Sequence, residues 1–265
     1  MLTRIASSSE FKDFQKGEIN IEECLQKVFD KLPQNIRTRE MFKEKKLDFD
    51  SWATYNSERD ELEIDKHTVI RKVNMNNLKH SLFLGNQACC CTAVGTGSRA
   101  GSAASYPMNQ FVQAIELLVD GDVVGNTMCY FADVEESCYP QMITKECGEI
   151  VIIENPKENK LALIIDNLEI LKPYKLEEKY LNAFILYAEK LIKNIGGDSD
   201  IAIYAGHRNS FSMNNYKKAS ISRMYLIGDS CNDTLSLDSI SNLAVTNDTI
   251  DSNKIYYGNF YSIKP

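Results

Sequence analysis

LALIIDNLEILKPYKLEEKYLNAFILYAEKLIKNIGGDSDIAIYAGHRNSFSMNNY, residues Leu161 to Tyr216, is the stretch whose reading decides the fold. Leu161 to Ile165, followed by Leu168 and Ile170, is a short apolar, β-rich run about the length of one buried strand. A charged loop with Pro173 follows. From Glu177, the apolar residues Tyr180, Leu181, Phe184, Ile185, Ala188, Leu191 and Ile192 recur at three- and four-residue spacing, one stripe of a helix that Gly196 and Gly197 stop. Ile201 to Ala205 predicts a second strand. Two strands joined by a helix of this length are expected to lie parallel in one sheet, with a right-handed crossover.

Upstream, Phe111 to Val119 and Val123 to Phe131 flank Asp120-Gly121-Asp122, the pattern of a hairpin with a tight turn. Residues 132 to 148 read as irregular, and Glu149 to Ile153 as a further strand that NPKENK turns back into LALII. Downstream, the pattern predicts a short helix around Met213 to Ala219 and a strand at MYLIG. The terminal KIYYGNFYSI is an aromatic strand that forms a sheet edge or closes the sheet.

Near the N-terminus, residues 1 to 20 are polar, and Ile21 to Leu32 is an amphipathic packing helix that Pro33 ends. Residues 34 to 66 are densely charged and read as a solvated face around Trp52, which itself packs. Thr68 to Val73 predicts a strand, and Met75, Leu78, Leu82 and Leu84 a helical piece. The expected fold is α+β: a mixed, mostly antiparallel central sheet flanked by helices. Residues 1–66 form a charged helical extension and residues 67–265 the α/β domain.

Apolar residues make up 43% of the chain and charged ones 25%, ordinary for a globular protein of 265 residues able to bury a substantial core. A net charge of −7 argues against a dedicated nucleic-acid surface, which needs clustered Lys and Arg. No apolar run reaches membrane-spanning length, and the opening MLTRIASSSEFKDF lacks the core of a secretory signal. The eight cysteines are dilute, and Cys89, Cys90 and Cys91 are consecutive; a reduced, cytoplasmic protein is expected. No CxxC pair or histidine cluster points to a metal. The three cysteines lie in GNQACCCTAVGTGSRAG, where a thiol at a helix N-terminus would be a nucleophile and a buried one inert.

The succession of hairpin, strand, long helix and strand resembles the GCN5-related N-acetyltransferase (GNAT) family over about residues 110–227. IELLVDGDVVGNTMCYF is similar to that family's strand, turn and strand. ALIIDNLEILKPY resembles its central strand, FILYAEKLIKNIGG its cofactor-side helix and DIAIYAG the strand that follows. Asn209, with Tyr216-Lys217-Lys218 after it, resembles the family's N…Y-x-K element. The resemblance implies transfer of an acyl group from acetyl-CoA or another acyl-CoA to the amine of a small molecule or protein. It implies Asp166 and Glu169 as proton acceptors, Tyr216 as general acid and the backbone from Leu168 to Ile170 as partner of the donor's pantetheine arm. Lys172, Lys175 and Asn209 would contact the cofactor. One departure stands out: the glycine-rich pyrophosphate loop is replaced by KPYKLEEK, residues 172–179.

Two other functions stay open at this stage. A family member that has lost its cofactor would be a catalytically inert binding protein, with residues 1–105 available for a protein partner. A cysteine-dependent enzyme would use one of Cys89, Cys90 and Cys91 as nucleophile and His207 as base.

Overall fold

The computed structural model describes residues 8–30, 36–88, 92–97, 103, 110–136, 141–144, 150–153, 160–175, 177–198, 200–206, 213, 215–226 and 256–264. Four strands open the sheet in antiparallel succession: β1 Glu61–Asp65, β2 Thr68–Lys72, β3 Gln113–Val119 and β4 Asp122–Glu136. The β3 and β4 strands meet at Asp120 and Gly121, with φ of 51° and 88°. Two consecutive positive φ angles are what the tightest hairpin turn demands, and Asp-Gly supplies them cheaply.

The chain then forms a separate hairpin, β5 Gln141–Thr144 with β6 Ile150–Ile153. The expectation of irregular structure over residues 132–148 is thus corrected at 132–136 and 141–144, and its other residues lie outside the described ones. β4 runs on to Glu136, and QMIT pairs with IVII. After this come β7 Lys160–Ile165, β8 Glu169–Ile170, β9 Ala202–Gly206, β10 Lys217–Leu226 and β11 Tyr256–Lys264.

β4 organises the sheet because it is 15 residues long and uses both edges twice. Its first half pairs with β3 on one edge and with β8 on the other. Its second half pairs with β7 and with β10. β7 lies parallel to β9, as the sequence predicts. β9 pairs with β11 and β11 with β10, so β4, β7, β9, β11 and β10 close a ring. Register shifts interrupt β10 near Ile221 and β11 between Ser262 and Lys264. Bulges of this kind bend strands enough for closure. Of the two expectations for the terminal strand, closure is the one realised.

The long helix, Glu178–Asn194, packs on one face of the sheet. Its buried stripe is Tyr180, Leu181, Ala183, Phe184, Tyr187, Ala188, Leu191 and Ile192. Gly196 ends it at φ 76°, and the Gly197 amide donates to the Ile192 carbonyl five residues back. That is the left-handed cap glycine favours.

Before the sheet come α1 Ser9–Gln15, α2 Ile21–Asp30, α3 Ile36–Glu44, α4 Phe49–Ala53 and α5 Ser57–Asp60. The reading of residues 34–66 as a solvated face is corrected. Phe42, Phe49 and Trp52 are buried in the same core as the long helix; Phe42 and Trp52 pack on Phe131, with Trp52 and Phe131 ring centroids 5.0 Å apart, and Phe49 packs on Phe42. The apolar residues interrupt the charge runs at helical spacing, and that stripe outweighs the average polarity of the segment. The expected helix around Met213 to Ala219 is also corrected: β10 starts at Lys217 and runs to Leu226, where ladders to β11 and β4 take up its backbone groups.

The opposite face carries α6 Leu78–Ser81 and α7 Leu84–Gln87; the long helix is therefore α8. Val73, Met75, Leu84, Met128, Tyr130 and Ile164 belong to its core.

Candidate functional site

The parallel pair β7 and β9 keeps register only from Ala162 opposite Ala202 to Ile165 opposite Ala205. Beyond Ile165 the chain leaves β9. Ile165 faces Cys129 and Glu169 faces Asn126, so four steps along β7 and β8 match three along β4. The extra residue makes a bulge at Asp166 to Leu168. Leu163 and Ile165, then Leu168 and Ile170, all join the α8-side core, and the three-residue step between them records the slip in alternation.

The bulge places the sequence-predicted residues as follows. Asp166 is 5% exposed, its amide donates to the Met128 carbonyl at 2.8 Å, and it continues the opposite-face alternation of Ala162 and Ile164. Glu169 is half-buried and pairs across the ladder with Asn126. Leu168 and Ile170 are buried against the α8-side core. The Leu171 amide donates to Val124 at 2.9 Å. Ile170, one position out of phase, therefore turns its N–H and C=O away from β4. Among the described residues no strand covers that edge of β8.

Lys172, exposed, and Lys175, half-exposed, lie in the short 3₁₀ turn and its exit before α8. Glu177 precedes α8 without a side-chain capping bond, and Glu178 occupies its first turn. Tyr216 is half-buried against the α8-side core; burial raises its hydroxyl pKa, and the carboxylate of Glu178 adds to the rise. The structure thus brings Tyr216 within electrostatic reach of the start of α8. Asn209, His207, Cys89, Cys90 and Cys91 lie outside the described residues.

A second constellation escaped the sequence reading. Glu61, Arg71, Glu116, Asn126 and Glu169 are successive cross-strand partners over β1, β2, β3, β4 and β8, one polar row on the face opposite α8. Glu116 has a side chain only 1% exposed, accepting from Arg71 Nε at 2.6 Å and lying 2.6 Å from His80 Nε2. Arg71 also lies 3.5 Å from Glu61, whose Oε1 accepts from the Tyr55 hydroxyl at 2.6 Å. Burial and that carboxylate push the Tyr55 pKa up to about 12. Asn126 donates to the Leu84 carbonyl at 2.8 Å and ties α7 over the row. The signal was present: Glu116 within FVQAIELLV and Arg71, beside Lys72, within TVIRKV are charges inside mainly apolar strands. Their convergence with His80 spans 36 and 45 residues of sequence, beyond any local pattern.

Among the described residues, no group of His, Cys, Asp and Glu could hold a metal ion, and no helix is long and apolar enough to cross a membrane. In comparisons with known proteins, no family model matches the sequence and no match to a curated protein was found.

Proposed function

We propose that this protein is a divergent N-acyltransferase that carries an acyl group directly from a thioester to an amine. The observation that supports this reading best is the edge of β8, where β7 and β9 part, that no described strand covers. An amide-bearing arm such as pantetheine can add to that edge as a short strand, accepting from and donating to Ile170. Ligands of sheets with parallel strands characteristically sit beyond the carboxyl ends of those strands.

In the reaction the amine attacks the thioester carbonyl, a C–N bond forms and the C–S bond breaks. Glu169 or Asp166 takes the proton released by the amine. Tyr216, whose raised pKa keeps its hydroxyl protonated at neutral pH, gives its proton to the departing thiolate. Positioning supplies much of the acceleration in such a direct transfer. The acceptor is a small-molecule or protein amine.

A non-catalytic binding protein is the second reading, and the acidic start of α8 favours it. Glu177 and Glu178 occupy the place where a phosphate would meet free helix N–H groups, with Lys172 and Lys175 as the nearby compensating charges.

Thermal unfolding with and without saturating acetyl-CoA separates the two. A ligand held by the native state alone at a hundred times its Kd adds about 2.7 kcal/mol of stability. A clear rise in Tm that the analogue lacking the pantetheine arm fails to produce supports the transferase. No shift at millimolar acetyl-CoA removes it and leaves the binding protein.

A further inference from the structure

The polar row contains a carboxylate and imidazole pair that acyl transfer at β8 does not use. His80, on α6, approaches Glu116 through Nε2, and the other oxygen of Glu116 is held by Arg71. Burial alone would raise the Glu116 pKa; the hydrogen bond and charge of His80, followed by those of Arg71, outweigh it and hold the carboxyl below its ordinary 4.5. Glu116 is therefore ionised at neutral pH and can only accept. That fixes the proton of a neutral His80 on Nε2 and leaves the lone pair on Nδ1.

Nδ1 has no hydrogen-bond partner among the described residues, and the His80 side chain is 25% exposed. Charged groups surround it. Arg71 contributes +1 and Glu116 and Glu61 −1 each, so the neighbours of the ring carry −1 in sum. Tyr55 is neutral, Glu169 stands two strands away in the row, and Lys79 on α6 is exposed. One turn after His80, Phe83 leaves 46% of its surface in solvent and offers apolar ground for a substrate.

We propose that His80 is a catalytic base, with Glu116 as its positioning residue, for a substrate that presents a weakly acidic N–H, O–H or S–H on the face opposite α8. The proton moves to Nδ1 while its electron pair stays with the substrate's nucleophilic atom. The imidazolium then keeps its Nε2–H on Glu116 and returns the added proton to a leaving group or to water. This site does not depend on whether an acyl donor binds β8.

The test uses p-nitrophenyl acetate as the acyl probe and water as the nucleophile, with release of p-nitrophenolate followed through the pH range in which imidazole titrates. The full-length protein should hydrolyse the probe faster than buffer, and His80→Gln should lower that rate at least about tenfold, against 10²–10⁴ for a base on its own substrate. His67→Gln, an exposed histidine on the β1 and β2 turn, should leave it unchanged. Glu116→Gln should lower the rate and move the midpoint of the pH profile down, because the imidazolium loses its counter-ion; a purely structural role would not move that midpoint. Equal rates for wild type and His80→Gln overturn the proposal, as does an unchanged profile in Glu116→Gln. Should Glu116→Gln fail to fold, nitrogen NMR of the wild-type ring decides: a neutral ring protonated at Nδ1 overturns the proposal, and one protonated at Nε2 supports it.

Discussion

Lys72→Met probes one half of a buried ion pair. Lys72 projects from β2 with 1% of its side chain exposed. Its Nζ donates to the carbonyls of Ser51 at 3.0 Å, Trp52 at 3.2 Å and Thr54 at 2.5 Å, and lies 3.1 Å from Asp60 Oδ2. One ammonium thus satisfies the C-terminal end of α4 and neutralises a carboxylate that is 0% exposed. Burial lowers the Lys72 pKa by more than its ion pair raises it. For Asp60, burial pushes the pKa up, but Arg59 and Lys72 together bring it below 3.8. Methionine fills much the same volume and removes the charge. Breaking a buried pair from one side costs about 3–5 kcal/mol. Arg59 Nε remains 2.9 Å from Asp60, which sets the electrostatic loss at the lower end, and the abandoned carbonyls account for the rest of the range. For a chain of this size each kcal/mol shifts Tm by roughly 2–4 °C, so the expected loss is roughly 6–20 °C. Thermal unfolding by circular dichroism measures it. Adding Asp60→Asn should cost less than the sum of the two single changes, because the first has already broken the shared contact. A Lys72→Met protein within about 1 kcal/mol of wild type would refute the claim that this cation holds α4 and α5 to the sheet.

Gly125 lies where β8 comes closest to β4: a Cβ there would stand 3.0 Å from the Glu169 carbonyl oxygen and 3.1 Å from Ile170 Cγ1. Gly125→Ala should push β8 outward at a cost of about 1–3 kcal/mol and speed hydrogen exchange at the Leu171 amide; unchanged exchange would mean that the strands tolerate the methyl group. Acid should destabilise the protein through Glu116. Its carboxyl pKa is lowered from 4.5, so its stabilising contribution is present above 4.5 and is lost as pH falls through the lower, folded-state value. Below 4.5 the unfolded chain binds more protons, and Tm against pH should therefore fall less steeply in Glu116→Gln than in wild type.

Local sequence determined the elements whose signals are complete within a few residues. The apolar stripe from Tyr180 to Ile192 fixes α8, Gly196 its end, Asp120-Gly121 the β3 and β4 turn, and the two flanking apolar runs the parallel pair β7 and β9. Period and turn chemistry are short-range properties, so a sequence displays them directly. Tertiary structure alone decided the remainder. Residues 34–66 look solvated by composition, yet Phe42 and Trp52 meet Phe131, some 80 to 90 positions on, and Phe49 packs on Phe42. Lys217 to Arg223 joins the strand expected at MYLIG because β4 and β11 offer it two ladders, which no local propensity reveals. The bulge at Asp166 to Leu168 depends on the register of β8 against β4. Arg71 and Glu116 converge because neighbouring strands set side chains in one row about every 4.8 Å across the sheet, and α6 lays His80 against that row. A buried charge can be suspected from its apolar neighbours in sequence, but its partner is chosen by the pairing of strands, which is a property of the folded chain.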